Sequence, residues 1–364
     1  MVTMRWNKIF FHHWFYFWLL LAVTIAITLG VSFADGDIWV STYFSQENWA
    51  IGKQPFFTWL YKYGGHVSIL LVGFCILIWG LTYKYDRIVK YKNVCILIVL
   101  TTILGSSVLI NGILKPYWGR PRPVQIEQFG GPWEYREFYE PGTPAKGQSF
   151  PSGHVSIVTI FLVAAFVRNE NKKLAVAGVT VGVFLTVSMA VCRIAQGGHF
   201  VTDTIWSLCI MMLVAMAIQK GILEKKEVWR TRKLSKVTCV ILAIVIALTG
   251  FLLVRKPFYE TIILPLPDVR YLTITSNQLV DMDVRYEKTP VGKITINSKG
   301  AGWLKANVDL KVDFQQAQDA GIYEFRMKPK GKLVYLKNEM MINVPEEKKD
   351  QMLISKTTPL DVVK

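Results

Sequence analysis

Charge is scarce in this 364-residue chain: only 19% of its residues are charged, against 52% hydrophobic. A soluble domain is rarely this apolar over such a length. Acidic residues are scarcer than basic ones, 26 Asp and Glu against 42 Lys and Arg, which leaves a formal charge of +16. Cysteine is scarce too. Cys75, Cys95, Cys192, Cys209 and Cys239 all lie in or beside apolar runs. No CxxC or Cys/His metal spacing occurs, so neither a zinc site nor a disulfide framework is indicated. There are only five histidines, and neither His nor Cys occurs after residue 255.

What is present is long apolar runs. Seven stand out: Trp14–Ala34, Val67–Tyr83, Val94–Leu114, Val155–Val167, Leu174–Val191, Thr204–Ile218 and Val237–Val254. Most are close to the ~20 residues that cross a bilayer as a helix. The fourth is short, and Ser152 and Gly153 before it could extend its helix. The reading is a polytopic, all-α membrane bundle. The first run could pass for a signal peptide, because Ser32-Phe33-Ala34 resembles a cleavage site. It is longer than a usual signal core, and an uncleaved span is expected.

Lys and Arg are unevenly shared between alternate loops. Sixteen lie at the N-terminus and in the loops after the second, fourth and sixth runs, and eight in the opposite loops. The positive-inside rule then places the N-terminus in the cytoplasm and loops 35–66 and 115–152 outside. The same distribution accounts for the basic charge, so nucleic acid is not implied. Past residue 255, alternating stretches at Arg270–Thr275, Gly292–Asn297, Trp303–Phe314, Gly321–Met327 and Lys332–Leu336 are separated by Gly, Pro, Asn and Lys. They suggest a small antiparallel β domain. Asp319-Ala320-Gly321-Ile322-Tyr323 is similar to the corner before a strand in β-sandwiches, which makes a sandwich one form that domain could take.

Three short stretches carry chemistry. The first, Lys115 to Pro123, contains K-x6-R-P through Lys115, Arg122 and Pro123; the second is Pro151-Ser152-Gly153-His154; the third is Arg193-x5-His199-x3-Asp203. All fall at the same ends of the spans. Singly, a basic residue at a span end is a snorkelling anchor, Pro-Ser-Gly-His is a helix cap, and a histidine there is interfacial. Together, in order and on one face, they assemble a phosphate site. Lys115, Arg122 and Arg193 supply three cations, and guanidinium groups grip phosphate oxygens in pairs. Ser152 and Gly153 place backbone N–H groups at a helix start, where anions bind. His199 and Asp203 are four apart and share a helix face. Asp203 is expected to accept a hydrogen bond from one imidazole nitrogen, leaving the other aimed at phosphorus. His154 is placed to protonate the leaving oxygen.

On these residues the sequence resembles the type 2 phosphatidic acid phosphatase superfamily of membrane lipid phosphatases, over roughly residues 67–218. The resemblance implies a six-span core with its site facing out and a phosphohistidine intermediate formed without metal or cofactor. It makes His199 the nucleophile, Asp203 its partner and His154 the acid. Lys115, Arg122, Ser152, Gly153 and Arg193 would hold the phosphate. The third motif usually opens Ser-Arg; here it opens Cys192-Arg193. Local wording, from Trp118 to Pro123, Phe129-Gly130-Gly131, Ser149-Phe150 before the second motif, and from Gly197 to Phe200, is similar to bacterial lipid A phosphatases. The implied architecture is a core over residues 1–220, a basic cytoplasmic loop and seventh span over 221–254, and a periplasmic β domain over 255–364. The implied location is the bacterial cytoplasmic membrane.

The loop 124–150 carries Phe129, Trp133, Tyr135, Phe138 and Tyr139, either a mouth for a lipid headgroup or a plain interfacial belt. Glu127, Glu134, Glu137 and Glu140 in that loop are expected to pair with Arg136 and Lys146 or to contact a sugar. Four functions remain open. The first is a lipid A phosphatase acting at the 1- or 4′-position. The second is an enzyme for undecaprenyl pyrophosphate or phosphatidylglycerol phosphate. The third is a lipid-to-lipid phosphotransferase, and the fourth a non-catalytic membrane protein whose β domain docks an envelope partner. Seven apolar spans argue against a vanadium haloperoxidase, which is soluble.

Overall fold

The computed structural model describes residues 2–169, 171–223, 255–278, 280–289 and 291–357. Two compact units emerge, one of residues 1–143 with 147–253, the other of 144–146 with 254–364. The run expected as a seventh span, Val237–Val254, lies outside the described residues.

The first unit is helical. Its elements are α1 (Val2–Phe33), α2 (Gly36–Ser45), α3 (Ala50–Lys53), α4 (Pro55–Leu81), α5 (Lys92–Thr101), α6 (Lys115–Trp118), α7 (Gly153–Val158), α8 (Lys172–Ala195) and α9 (Val201–Ile218). α5 runs on through a π-helical stretch, Thr102–Leu114, into α6, and α7 continues as a 3-10 helix over Thr159–Val167. Among the described residues, five helical stretches are long and apolar enough to cross a membrane: Trp14–Phe33, Pro55–Leu81, Asp86–Gln125, Lys172–Ala195 and Val201–Gly221. The helix Gly153–Val167 is apolar but shorter. It is the run the sequence marked as short.

Local chemistry sets the helix starts. Pro55 opens α4, where its missing N–H costs nothing. The Asn171 side chain caps α8 by accepting from Leu174 N at 3.0 Å. Ile96, Leu97, Ile110, Ile160, Val163 and Met211 form a buried core between α5, its π-helical extension, the 3-10 stretch and α9. A second cluster, Leu60, Val155, Val158, Met189 and Cys192, lies beneath the loop ends of α4, α7 and α8.

The second unit is a six-stranded sheet of β1 (Arg255–Pro265), β2 (Tyr271–Ser276), β3 (Asp281–Glu287), β4 (Lys293–Ala317), β5 (Ala320–Pro345) and β6 (Leu353–Thr357). The order is β1-β4-β5-β2-β6, with β3 also on β5. β4 and β5 form one long antiparallel hairpin turning at Gln318–Asp319, where Gln318 has φ 51°. The sheet is mixed rather than antiparallel, because β2 and β3 both run parallel to β5, as does β6 to β2. Side-chain alternation marks a strand and its faces but carries no direction. β5 has 26 residues, so its edge has room for β2 and β3 in succession. Leu272, Ile294, Phe325, Ile342 and Val344 lie in one core fed from both halves of the hairpin. The runs read separately at 292–297 and 303–314 fuse into β4. Those at 321–327 and 332–336 fuse into β5, and the gap in β4 coincides with register shifts at Ala301/Gly302 and Trp303/Asn307.

Candidate active site

The helical ends bring the three motifs together. α6 closes at Gly119, whose φ is 74° and whose missing Cβ would sit 2.2 Å from the Thr143 carbonyl oxygen. Only glycine fits there, and the turn delivers Arg120 and Arg122 inward. Ser152 and Gly153 begin α7, and a Cβ on Gly153 would meet the Asn111 Oδ1 at 2.4 Å. Arg193 ends α8, and His199 follows two glycines just before α9. A Cβ on Gly198 would fall 2.1 Å from Arg193 Nη2, so glycine is what lets the guanidinium lie across that turn.

Arg122, Arg193 and Gly198 line a cavity of about 530 Å³ together with Gly52, Lys53, Thr58, Tyr61 and Gln196. Lys115, Gly153 and His154 line a second of about 300 Å³, together with Tyr61, His66 and Asn111. Tyr61 borders both. Its ring centroid is 4.7 Å from that of His154 and 4.6 Å from the Arg193 guanidinium carbon. Lys115, Arg122 and Arg193 are all near enough to act on His154 electrostatically, and Lys115 and Arg193 act on His199 as well.

His199 is fully buried, and its Nδ1 lies 2.6 Å from the backbone oxygen of Ser149. A carbonyl oxygen can only accept, so Nδ1 carries the proton and the Nε2 of a neutral ring holds the lone pair. Burial holds the His199 pKa at about 3, with Lys115 and Arg193 adding to the effect and Asp203 opposing it. The ring is therefore neutral near pH 7. Asp203 sits 3.7 Å from Nδ1, within ion-pair range but not in the direct hydrogen bond expected of it. That bond goes to Ser149 because Asp203 is otherwise engaged. Its Oδ2 accepts from Ser149 Oγ at 2.5 Å and from Phe200 N at 2.8 Å, and its Oδ1 from Arg120 Nη1 at 2.6 Å. The bond to Phe200 N closes the start of α9.

Three buried polar atoms, one from the second motif and two from the third, have no hydrogen-bond partner among the described residues: Ser152 Oγ, Arg193 Nε and His199 Nε2. Unsatisfied buried groups are uncommon and costly, and they suit a ligand rich in acceptor oxygens around an electrophile. Cys192, where the motif usually has serine, is buried and its Sγ donates to Phe57 O at 3.3 Å. The aromatic loop divides: Phe138 packs near Trp206, Tyr135 against Phe200, while Tyr139 is exposed. Glu137 accepts from Tyr135 Oη at 3.1 Å rather than pairing with Arg136.

Several residues of this site were given no role from the sequence. Ser149 entered only as family wording, and its carbonyl oxygen and hydroxyl both act here. Asp37, in α2, reaches Arg120 Nη2 at 2.8 Å and Thr202 N at 3.0 Å. Its signal was weak: one of two aspartates just past the first apolar run, with no motif around it. Arg120 lies within the first motif, but its neighbour Arg122 drew the phosphate role.

Residues 94–227 match the PAP2 superfamily. Curated relatives are each named lipid A 4'-phosphatase. One from Francisella tularensis subsp. novicida (strain U112) is 28% identical over 143 residues, 38% of this chain and 63% of its own length. One from Rhizobium leguminosarum is 29% identical over 141 residues, 38% of this chain and 58% of its own. One from Rhizobium etli is 30% identical, again over 38% of this chain and 52% of its own. The chain thus spans less than two thirds of the length of each of these relatives. Among solved structures, the first transmembrane PAP2 type phosphatidylglycerolphosphate phosphatase, from Bacillus subtilis, covers 57% of this chain and 96% of its own at 18% identity and a TM-score of 0.39.

Proposed function

Starting from a chain that carries a PAP2 superfamily domain and resembles lipid A phosphatases, we propose that it is a membrane lipid phosphatase hydrolysing a phosphomonoester of lipid A. The names of the curated relatives favour the 4′-phosphate. The supporting observation is the state of His199: neutral, with its proton fixed on Nδ1 by Ser149 O and a buried, unpartnered Nε2.

His199 Nε2 attacks phosphorus, and the bond from phosphorus to the lipid oxygen breaks. That oxygen leaves with a proton from His154, a ring that the phosphate dianion charges by offsetting the Arg193, Lys115 and Arg122 cations around it. Lys115, Arg122 and Arg193, with Ser152 and the amides that open α7, hold the phosphoryl oxygens as charge shifts among them. Water then gives a proton to the now neutral His154 and attacks the phosphohistidine, breaking the bond from phosphorus to Nε2, releasing inorganic phosphate and restoring both histidines. No metal takes part in this sequence. Asp203 orients the start of α9 and offsets the positive charge that the ring acquires. The architecture we read around the site is a six-span core over residues 1–220, a seventh span within 221–254, and a β domain over 255–364 whose described strands form one mixed sheet. The site and the β domain face the periplasm and the N-terminus the cytoplasm, in a bacterial cytoplasmic membrane.

The test is phosphate release by the purified protein from lipid A, undecaprenyl pyrophosphate and phosphatidylglycerol phosphate, with and without EDTA. Release from lipid A alone, unaffected by EDTA and lost in His199→Ala with the protein still folded, is expected. Turnover that survives His199→Ala would end the phosphohistidine reading. Transfer to a second lipid in place of free phosphate would make the enzyme a phosphotransferase.

A further inference from the structure

Three buried ionic groups stand behind His199. Asp37, Arg120 and Asp203 have side chains 1%, 0% and 0% exposed. The Arg120 guanidinium lies between the two carboxylates, 2.8 Å from Asp37 Oδ2 and 2.6 Å from Asp203 Oδ1. Arg120 also donates from Nε to the Arg136 backbone oxygen at 2.8 Å and from Nη1 to Thr202 Oγ1 at 2.8 Å, so it is held from several sides. Asp37 accepts from Thr202 twice, from N at 3.0 Å and from Oγ1 at 2.5 Å, and so fixes α2 to the first turn of α9. The sum of the three charges is −1.

We propose that Asp37 is a positioning residue for catalysis, acting on His199 through Arg120 and Asp203. The proposal rests on the phosphohistidine reading above. When Nε2 bonds to phosphorus while Nδ1 keeps its proton, the ring takes on positive charge at a fully buried position. A net negative group beside it lowers the energy of that state. Arg120 alone would cancel Asp203. Asp37 shares the guanidinium, which leaves Asp203 with charge to set against the ring. Asp37 also holds Thr202, so the carboxylate one residue further along α9 stays in place. Asp37 lies outside the stretch that matches the PAP2 superfamily, residues 94–227. No substrate contact is assigned to it, so its effect belongs to the chemical step rather than to binding.

The experiment uses the full chain in detergent with lipid A as the probe substrate. Wild type, Asp37→Asn, Asp37→Glu and His199→Ala are compared for kcat, KM and vanadate inhibition. The asparagine keeps the shape and can still accept from Thr202, but the group of three becomes neutral. We expect kcat to fall about a hundredfold in Asp37→Asn, with KM and the vanadate constant within threefold of wild type. Asp37→Glu retains the charge one methylene further out, and its kcat should lie between, about tenfold below wild type. Should Asp37→Asn not be recovered folded, the glutamate variant decides alone on the same criteria. Wild-type kcat in either variant overturns the proposal, as does a loss carried by KM. An inactive His199→Ala beside a wild-type Asp37→Asn sinks only this inference. An active His199→Ala sinks the phosphohistidine reading itself.

Discussion

Ser149 holds Asp203 and His199 at once: its hydroxyl donates to Asp203 Oδ2 at 2.5 Å, and its carbonyl oxygen accepts from His199 Nδ1 at 2.6 Å. One residue, immediately before the cis Phe150–Pro151 bond, thereby sets both the tautomer of the ring and the direction of the carboxylate.

The two functions of Ser149 separate on substitution. Ser149→Ala removes the hydroxyl and keeps the carbonyl. A hydrogen bond to a charged group contributes about 1.5–3 kcal/mol, so kcat should fall roughly tenfold to a hundredfold with KM little changed. Steady-state kinetics on the purified variant checks this, and an unchanged kcat would show that Asp203 needs no anchor from this loop.

Gly198→Ala places a methyl where Arg193 Nη2 now lies, at 2.1 Å from the added carbon. The guanidinium must swing away, and the grip on phosphoryl oxygens weakens. Vanadate inhibition should weaken about tenfold or more, equivalent to at least ~1.4 kcal/mol, while the melting temperature stays close to wild type. Equal affinity for vanadate would remove Arg193 from the oxyanion site.

An ordinary histidine gains its proton near pH 6.5, whereas His199 is held at about 3 by burial. Its neutral form should therefore persist from pH 8 down to 5. Histidine-labelled ¹⁵N spectra, assigned with a His199→Gln variant, should show one protonated and one bare nitrogen across that range. The same shift makes the folded protein acid-labile. Below pH 6.5 the unfolded chain takes up a proton that folded His199 refuses, so stability falls as pH drops from 6.5 towards 3. Melting temperatures should decline over that window, and less steeply in His199→Gln.

Phe325 is completely buried in the β unit. Phe325→Ala should cost about 3–5 kcal/mol and expose the 255–357 stretch to limited proteolysis at temperatures where the wild-type stretch resists.

Much of the helical unit was legible because a membrane demands long apolar runs and because motif residues are side chains whose types announce their chemistry. Lys115, His154, Arg193 and His199 could be assembled from spacing alone. Ser149 was noted only as family wording and its role could not be read, since the atom that fixes the ring is a carbonyl oxygen and every residue has one. Asp37 was hidden for a different reason: it reaches Arg120 across 83 residues, and two aspartates between apolar runs make no pattern. The β unit was legible as strands but not as a topology. Alternation located β2, most of β4 and less than half of β5, yet it could not show that β2 and β3 pair parallel along one edge of β5.

The buried Asp37–Arg120–Asp203 group also bears on biogenesis. Its members are spaced 83 residues apart at each step along the chain, so Asp37 leaves the ribosome first and Asp203 last. Until Arg120 is made, Asp37 has no counter-charge and must stay at the water boundary. Until α9 is made, the pair still lacks Thr202 and Asp203, so a prematurely ended polypeptide would leave Arg120 and Asp37 short of hydrogen-bond partners that the finished bundle supplies.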